Sequence, residues 1–354
     1  MSGWVREGRG KGAQAPVAAD GLGALRLAPP LGQGEALQRW LGLARTLRLP
    51  HGMLVEGARG SGKSTVIAWL AAALLCPSDL DPHGPCGVCR TCTRIANRQH
   101  PDVHVLDLAH DEEERKELKK SFYEIKVDQV REAQELLART AVEGRARLLW
   151  IEDADHLAEE GQNALLKTLE EPGVATFLLL EASRPEQLLP TVRSRVQRLR
   201  VLPLAEEVLR REILQRRPDA SDRVEEAIAL GGGSLGRSLQ ACTERAVQLH
   251  HLVLAVLADV DRLRPVATAR AVLDKLPERR LELDAARDFL WLLRAELRRR
   301  RSALAAADGP SYGATSAEPW TTWLEHTLAA ERDLDLLIPP EQVLTACLLQ
   351  LTPG

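Results

Sequence analysis

The sequence predicts an α/β fold: a parallel sheet with helices on both faces, followed by purely helical segments. Three observations carry this. Short, continuously apolar runs (Met53–Val55, Val103–Leu106, Leu148–Ile151, Phe177–Leu180) alternate with segments of helical period, the pattern of strands covered on both faces. A glycine-rich loop joins the first run to a long apolar helix. After Pro203 the chain turns to Leu, Ala, Arg and Glu at helical spacing, with no further strand pattern.

In chain order, residues 1–28 are rich in Gly, Ala and Arg, lack periodicity and read as a disordered tail. From Glu35 to Leu47, the apolar residues Leu37, Trp40, Leu41 and Ala44 recur at helical spacing. The strand at Met53 leads into the glycine loop and a helix from Lys63 to Leu75, and Val196–Val201 adds a fifth strand. The expected organisation is a sheet domain over 29–202, a small helical domain over 203–247 and a larger helical domain over 248–354. A loop from Ala305 to Pro319, with Gly309-Pro310 and Gly313, interrupts the last domain. No internal repeat is present.

Composition narrows the function. A chain of 354 residues suits two or three domains, and 45% hydrophobic with 27% charged residues excludes wholesale disorder. Aromatics are only 3%, so Leu, Val, Ile and Ala must build the core, which favours helices. The longest apolar run, Val66 to Leu75, is 10 residues, whereas a membrane span needs roughly 20. The N-terminal region carries Arg6, Glu7, Arg9 and Lys11 without an apolar core segment, so the expectation is a cytoplasmic protein without membrane contact. A net charge of −3 argues against general polyanion binding, and Arg298–Arg301 reads as a solvated helix face rather than a DNA contact.

The segment Gly57-Ala58-Arg59-Gly60-Ser61-Gly62-Lys63-Ser64 fits the phosphate-loop pattern G-x-x-x-x-G-K-[ST]. Its glycines let backbone N–H groups curl around phosphate oxygens, and the following helix presents its positive end. Lys63 would reach the β- and γ-phosphates and the Ser64 hydroxyl would ligate Mg²⁺. Gly57, Gly60, Gly62, Lys63, Ser64 and Thr65 are therefore the candidate ATP/ADP site. Such a loop marks nucleotide-site ancestry; it does not by itself establish turnover.

Six cysteines occur, and four of them, Cys76, Cys86, Cys89 and Cys92, form a C-x9-C-x2-C-x2-C cluster. Two-residue spacings let thiolates converge on one ion, and four sulfurs fill the closed tetrahedron of a structural Zn²⁺. A redox pair would need only two of them, and a disulfide framework is out of place in a cytosolic chain. Cys242 and Cys347 lie on apolar helical faces and read as core residues. The third strand ends in Glu152-Asp153, where carboxylates beside a phosphate loop suit Mg²⁺ coordination and activation of water.

Together, the phosphate loop, the four-cysteine insertion after its helix, His100-Pro101-Asp102, the segment Asn163 to Pro172 (NALLKTLEEP) and Ser194-Arg195 resemble the bacterial clamp-loader branch of the AAA+ family. That branch contains the gamma/tau and delta-prime subunits of DNA polymerase III. The resemblance spans about residues 29–240. It implies an AAA+ phosphate-loop domain with a zinc module at 76–92, a helical lid and a helical collar that assembles into a hetero-pentameric ring with the other subunits. It further implies a role in loading the sliding clamp onto primer–template DNA, with Arg195 as an arginine finger toward a neighbouring ATPase subunit.

The departures from the active pattern are specific. Gamma/tau subunits end the third strand with Asp-Glu, the Asp on magnesium and the Glu orienting water; here Glu152 and Asp153 hold those places in swapped order. The gamma/tau lid carries an arginine directly after Gly-Ser-Leu, where it touches the nucleotide. Here Gly236 stands there and Arg237, the candidate lid contact, is displaced by one residue, a rotation of about 100° on a helix. Val196 replaces the cysteine of the family's Ser-Arg-Cys. These features, with no tau-like extension after the collar, resemble the delta-prime type, whose own ATP hydrolysis is expected to be weak. The intact phosphate loop favours the alternative, a gamma/tau-type ATPase. A phosphate-loop kinase would leave the cysteine insertion and Ser194-Arg195 unexplained.

Overall fold

The computed structural model describes residues 27–78, 84–109, 112–118, 123–274, 276, 279–307, 318–336 and 338–352. Residues 1–26 of the expected tail, 79–83 of the cysteine segment and 308–317 of the expected loop lie outside them. The chain divides into two units between Leu202 and Pro203.

The first unit is built on a five-stranded sheet of β1 (Gly52–Glu56), β2 (Val103–Leu106), β3 (Arg147–Ile151), β4 (Thr176–Ala182) and β5 (Gln197–Arg200). Every pairing is parallel and the order is β2-β3-β4-β1-β5. Its helices are α1 (Gly34–Arg45), α2 (Lys63–Leu75), α3 (Arg90–Ala96), α4 (Glu112–Leu118), α5 (Val127–Leu137), α6 (Glu159–Glu170) and α7 (Pro190–Arg193).

The apolar runs are continuous because alternate residues feed two cores. Phe177 and Leu179 of β4 join Met53, Val55, Leu70 and Leu74 on one face, whereas Leu178 and Leu180 join Leu54, Val130, Leu149 and Leu165 on the other. Helix α2 buries residues all round its circumference, Ala71, Ala72 and Leu74 among them, as its lack of a polar stripe requires. Strand β5 lies on a sheet edge and alternates exposed arginines with the buried Leu199, so its charges guard the edge against pairing.

The second unit is helical throughout its described residues: α8 (Glu206–Arg216), α9 (Val224–Gly231), α10 (Leu235–Ala241), α11 (Glu244–Ala258), α12 (Pro265–Leu273), α13 (Arg279–Ala307), α14 (Glu318–Asp335) and α15 (Pro340–Leu349). Phe289, Leu290, Leu293 and Leu297 of α13 are fully buried in its interior. Within the four-arginine run, Arg299 and Arg300 bind the buried Glu296, and Arg300 also donates to the Leu257 carbonyl. Half of that run is thereby tied to the protein itself. None of the described helices is long and apolar enough to cross a membrane.

Asp102 of the His-Pro-Asp segment organises the approach to β3. Its carboxylate accepts N–H groups from Val142 (2.6 Å), Glu143 (2.9 Å) and Gly144 (2.6 Å), closing the turn before the strand. Burial opposes its ionisation, but the three backbone donors win and hold the carboxyl below its usual range. Because the folded state lowers this pKa, the contribution to stability is present above about pH 4 and is lost as pH falls through the folded value. Asp102→Ala is expected to destabilise the chain by about 3 kcal/mol near neutral pH, with a smaller difference from wild type in strong acid. Denaturant titrations at the two pH values check this.

Candidate functional site

Parallel strands deliver their loops to one edge, and the order of this sheet puts the carboxyl ends of β1, β4 and β3 side by side there. The loop after β1 is Gly57 to Gly62. A Cβ on Gly57 would lie 3.1 Å from the Val201 carbonyl and 2.9 Å from Ser61 Oγ, so the chain fits only without one. Gly60 and Gly62 take left-handed φ values of 74° and 93°, and Gly62 caps α2, which begins at Lys63 with Ser64 and Thr65 in its first turn.

Lys63 is 3% exposed, and its ammonium has two hydrogen-bond acceptors and one ion-pair partner within the protein. The ammonium donates to Ala58 O (3.2 Å) and Ser183 Oγ (2.9 Å) and pairs with Glu181 Oε1 at 3.7 Å. Ser64 Oγ donates to the same Glu181 oxygen at 3.1 Å. Glu181 faces the loop because Val55 and Glu181 are register partners near the ends of β1 and β4. Burial pushes its carboxyl up; Lys63 draws it down and Asp153 pushes it further up. Sequence reasoning missed Glu181. Its only signal was a charge inside the apolar run Phe177 to Ala182.

The two carboxylates after β3 part company. Glu152 is buried, its Oε1 2.6 Å from Arg98 Nη2, while Asp153 is exposed and left-handed at φ 46°. Burial pushes the Glu152 carboxyl up to about 8 despite the Arg98 charge, and Glu181, Asp107 and Asp153 add to the rise. Arg98 was also missed. It follows α3 in a left-handed conformation (φ 58°) and lies over the Trp150 ring at 5.3 Å.

Arg195 is not brought to the phosphate loop. Its guanidinium binds Glu170 of α6 through Nε (2.7 Å) and Nη2 (2.5 Å), and Nη1 donates to Thr191 O. Its backbone carbonyl lies 3.4 Å from where a Cβ of Gly52 would stand, at the start of β1. The loop leaves the other end of that strand, about 16 Å away for five residues of rise. In the second unit, Arg237 Nη1 donates to Gln240 (3.0 Å) and pairs with Asp288 (3.4 Å), and the guanidinium stacks on Trp291 at 4.3 Å.

A separate cluster forms where α2 ends. Cys76 is the C-cap residue of α2, and Cys89 and Cys92 lie at the start of α3. The four sulfurs of Cys76, Cys86, Cys89 and Cys92 lie within 4.8 Å of one another. Cys76–Cys86, Cys76–Cys89 and Cys86–Cys92 separations are 3.7, 3.8 and 4.0 Å. An ion bonded tetrahedrally to four sulfurs at about 2.3 Å sets edges of about 3.8 Å, whereas a disulfide needs about 2.0 Å. Backbone N–H groups of Cys89 and Cys92 point at the sulfurs of Cys86 and Cys89. Burial raises the Cys92 thiol and the neighbouring sulfurs raise it further; burial also opposes ionisation at Cys86, but backbone donors bring that thiol down to about 7. A bound cation removes the repulsion among four thiolates, so the cluster could hold a metal ion.

Comparison with known proteins fits this geometry. Residues 32–205 match the family described as DNA polymerase III, delta subunit. That match covers 174 of the 354 residues, just under half of the chain. The match covers the sheet unit almost end to end and stops at the first residues of the helical unit. The chain is 37% identical to DNA polymerase III subunit delta-prime of Pseudomonas aeruginosa over 198 residues, 55% of this chain and 56% of that protein. It is 34% identical to the Escherichia coli subunit delta-prime over 193 residues, 53% of each. DNA polymerase III subunit tau of Salmonella typhimurium is 28% identical over 270 residues, 69% of this chain and 38% of that protein. The chain thus spans about half the length of the delta-prime relatives it matches.

Elemental analysis of the purified chain is expected to find about one equivalent of a thiophilic divalent metal, falling below about half in Cys92→Ser. Unchanged metal content in that variant would contradict the four-sulfur site.

Proposed function

We propose that the chain is a delta-prime-type subunit of the DNA polymerase III clamp loader. The observation that carries this reading is the agreement with delta-prime subunits at 34–37% identity over 193–198 residues. In this role it joins gamma/tau and delta subunits in a hetero-pentameric ring in the cytoplasm and helps place the sliding clamp on primer–template DNA. The sheet unit is the AAA+ domain, 203–247 its lid and 248–354 its collar. Cys76, Cys86, Cys89 and Cys92 hold a structural Zn²⁺, the ion whose tetrahedral thiolate geometry the sulfur separations match.

Gly57 to Thr65 bind ATP or ADP with Mg²⁺, and the buried, unpartnered hydroxyl of Ser61 supports this by facing the loop without a hydrogen bond. Turnover is weak. Glu152 is taken up by Arg98, and Asp153 projects to solvent from a left-handed backbone, so neither stands ready to hold magnesium or orient water. Arg237, the lid candidate, is engaged by Asp288 and Trp291.

Arg195 acts on a neighbour's nucleotide. Its place at the amino end of β1 supports action across a subunit boundary, since its own phosphate loop lies at the opposite edge. A guanidinium stays charged and grips phosphate in two places, and such a finger is worth roughly 10³–10⁵ in rate where it has been measured in GTPases. The exposed Glu170 pair is worth only about 0–1 kcal/mol, little enough to give up.

The reading of a gamma/tau-type ATPase is favoured by one observation, the intact phosphate loop. The two separate in one set of assays. The isolated chain is expected to hydrolyse ATP well below about 1 s⁻¹, a typical enzymatic rate. Arg195→Ala is expected to leave its folding unchanged while depressing ATP hydrolysis by the complex reconstituted with gamma/tau and delta. Fast turnover by the chain alone favours gamma/tau, and an unaffected complex removes the finger role.

A further inference from the structure

We propose that Glu181 is a built-in competitor of the phosphate loop: its carboxylate holds the lysine nitrogen and the serine hydroxyl that a nucleotide's phosphates and Mg²⁺ would use, so a nucleotide must displace it to bind. The proposal rests on reading Gly57 to Thr65 as a nucleotide site. Its basis is the set of contacts around one oxygen. Glu181 Oε1 accepts from Ser64 Oγ at 3.1 Å and pairs with Lys63 Nζ at 3.7 Å. These are the two side chains to which the phosphate-loop pattern assigns the β/γ-phosphates and the magnesium ion. An anionic oxygen between them does locally what a phosphate oxygen would do.

The arrangement is also incompletely satisfied, which is what a displaceable occupant requires. Glu181 Oε2 is buried without a hydrogen-bond partner, and so is the loop hydroxyl of Ser61. A buried acceptor and a buried hydroxyl left unpaired both cost free energy. Phosphate oxygens, with their several lone pairs, would satisfy Ser61 and Lys63 together. Displacement can swing only the side chain, because the Glu181 backbone is fixed by its register with Val55 in the middle of the sheet, so the charge stays close to the site. A bound nucleotide would therefore sit beside a like charge at short range in a poorly screened site, and its affinity is set by that repulsion. Glu152 is engaged in parallel by Arg98 at 2.6 Å, so the acidic side of the site is likewise paired within the chain.

The test is calorimetric titration of ADP and ATP, with and without Mg²⁺, into wild type, Glu181→Gln, Glu181→Ala and Lys63→Ala, with thermal melts as a folding control. Glu181→Gln keeps the side-chain volume and the acceptor for Ser64 while removing the charge; it decides the matter where the alanine variant fails to fold. Competition predicts that Glu181→Gln binds roughly tenfold or more tightly than wild type, with or without Mg²⁺. Binding by Glu181→Gln where wild type binds nothing supports it equally. If wild type and Glu181→Gln bind alike while Lys63→Ala binds nothing, the nucleotide site stands and the competitor role falls. If the glutamine variant binds more weakly only with Mg²⁺, Glu181 is a metal ligand and the proposal is overturned. If no folded variant binds nucleotide at millimolar concentration, the nucleotide reading fails and the competitor role with it.

Discussion

A lysine ammonium that is 3% exposed must find partners within the protein, and the sheet unit is arranged so that Lys63 finds them. Ala58 comes from its own loop, whereas Ser183 and Glu181 come from the end of the neighbouring strand β4. Those partners reach it only because β1 and β4 are parallel and in a register that aligns Val55 with Glu181. A shift by one residue would turn Glu181 into the opposite core and leave the ammonium uncompensated. The phosphate loop, the strand register and the buried carboxylate therefore specify one another.

Helix α2 extends this dependence to the cysteine cluster. It starts at Lys63 and is C-capped by Cys76, so one buried helix carries the loop's cation at one end and a sulfur of the cysteine cluster at the other. Helix α3 begins among the remaining sulfurs, and Arg98, just beyond its end, reaches Glu152 at the carboxyl end of β3. A metal held by the four sulfurs would fix the ends of α2 and α3 together.

What the sequence displays plainly is what is local. The five strands are legible as apolar runs because both sheet faces are covered, and the phosphate loop and the cysteine spacing each lie within a single short segment. The contacts that define the site's electrostatics join residues far apart in the chain. Ser64 and Glu181 are 117 positions apart, and nothing but an interrupted apolar run marks the latter. Arg98 owes its reach to a left-handed backbone at a non-glycine residue, which no composition or period foretells. The departure of Asp153 from Glu152 has the same origin: swapped charges were readable, but one being buried and the other exposed follows from the turn after β3. In the helical unit, period identifies helices, while pairings such as Arg237 with Asp288 and Trp291 depend on packing.

The proposed function makes this chain one non-identical member of a clamp-loader ring, with Lys63 of its own loop paired to Glu181 and Arg195 serving a neighbour's nucleotide. Native mass spectrometry of an equimolar mixture of this chain with gamma/tau and delta subunits tests it most directly. The account predicts an assembly that contains all three kinds of subunit and is absent when this chain is withheld. A chain that stays apart from the mixture, or that assembles only with copies of itself, would contradict it.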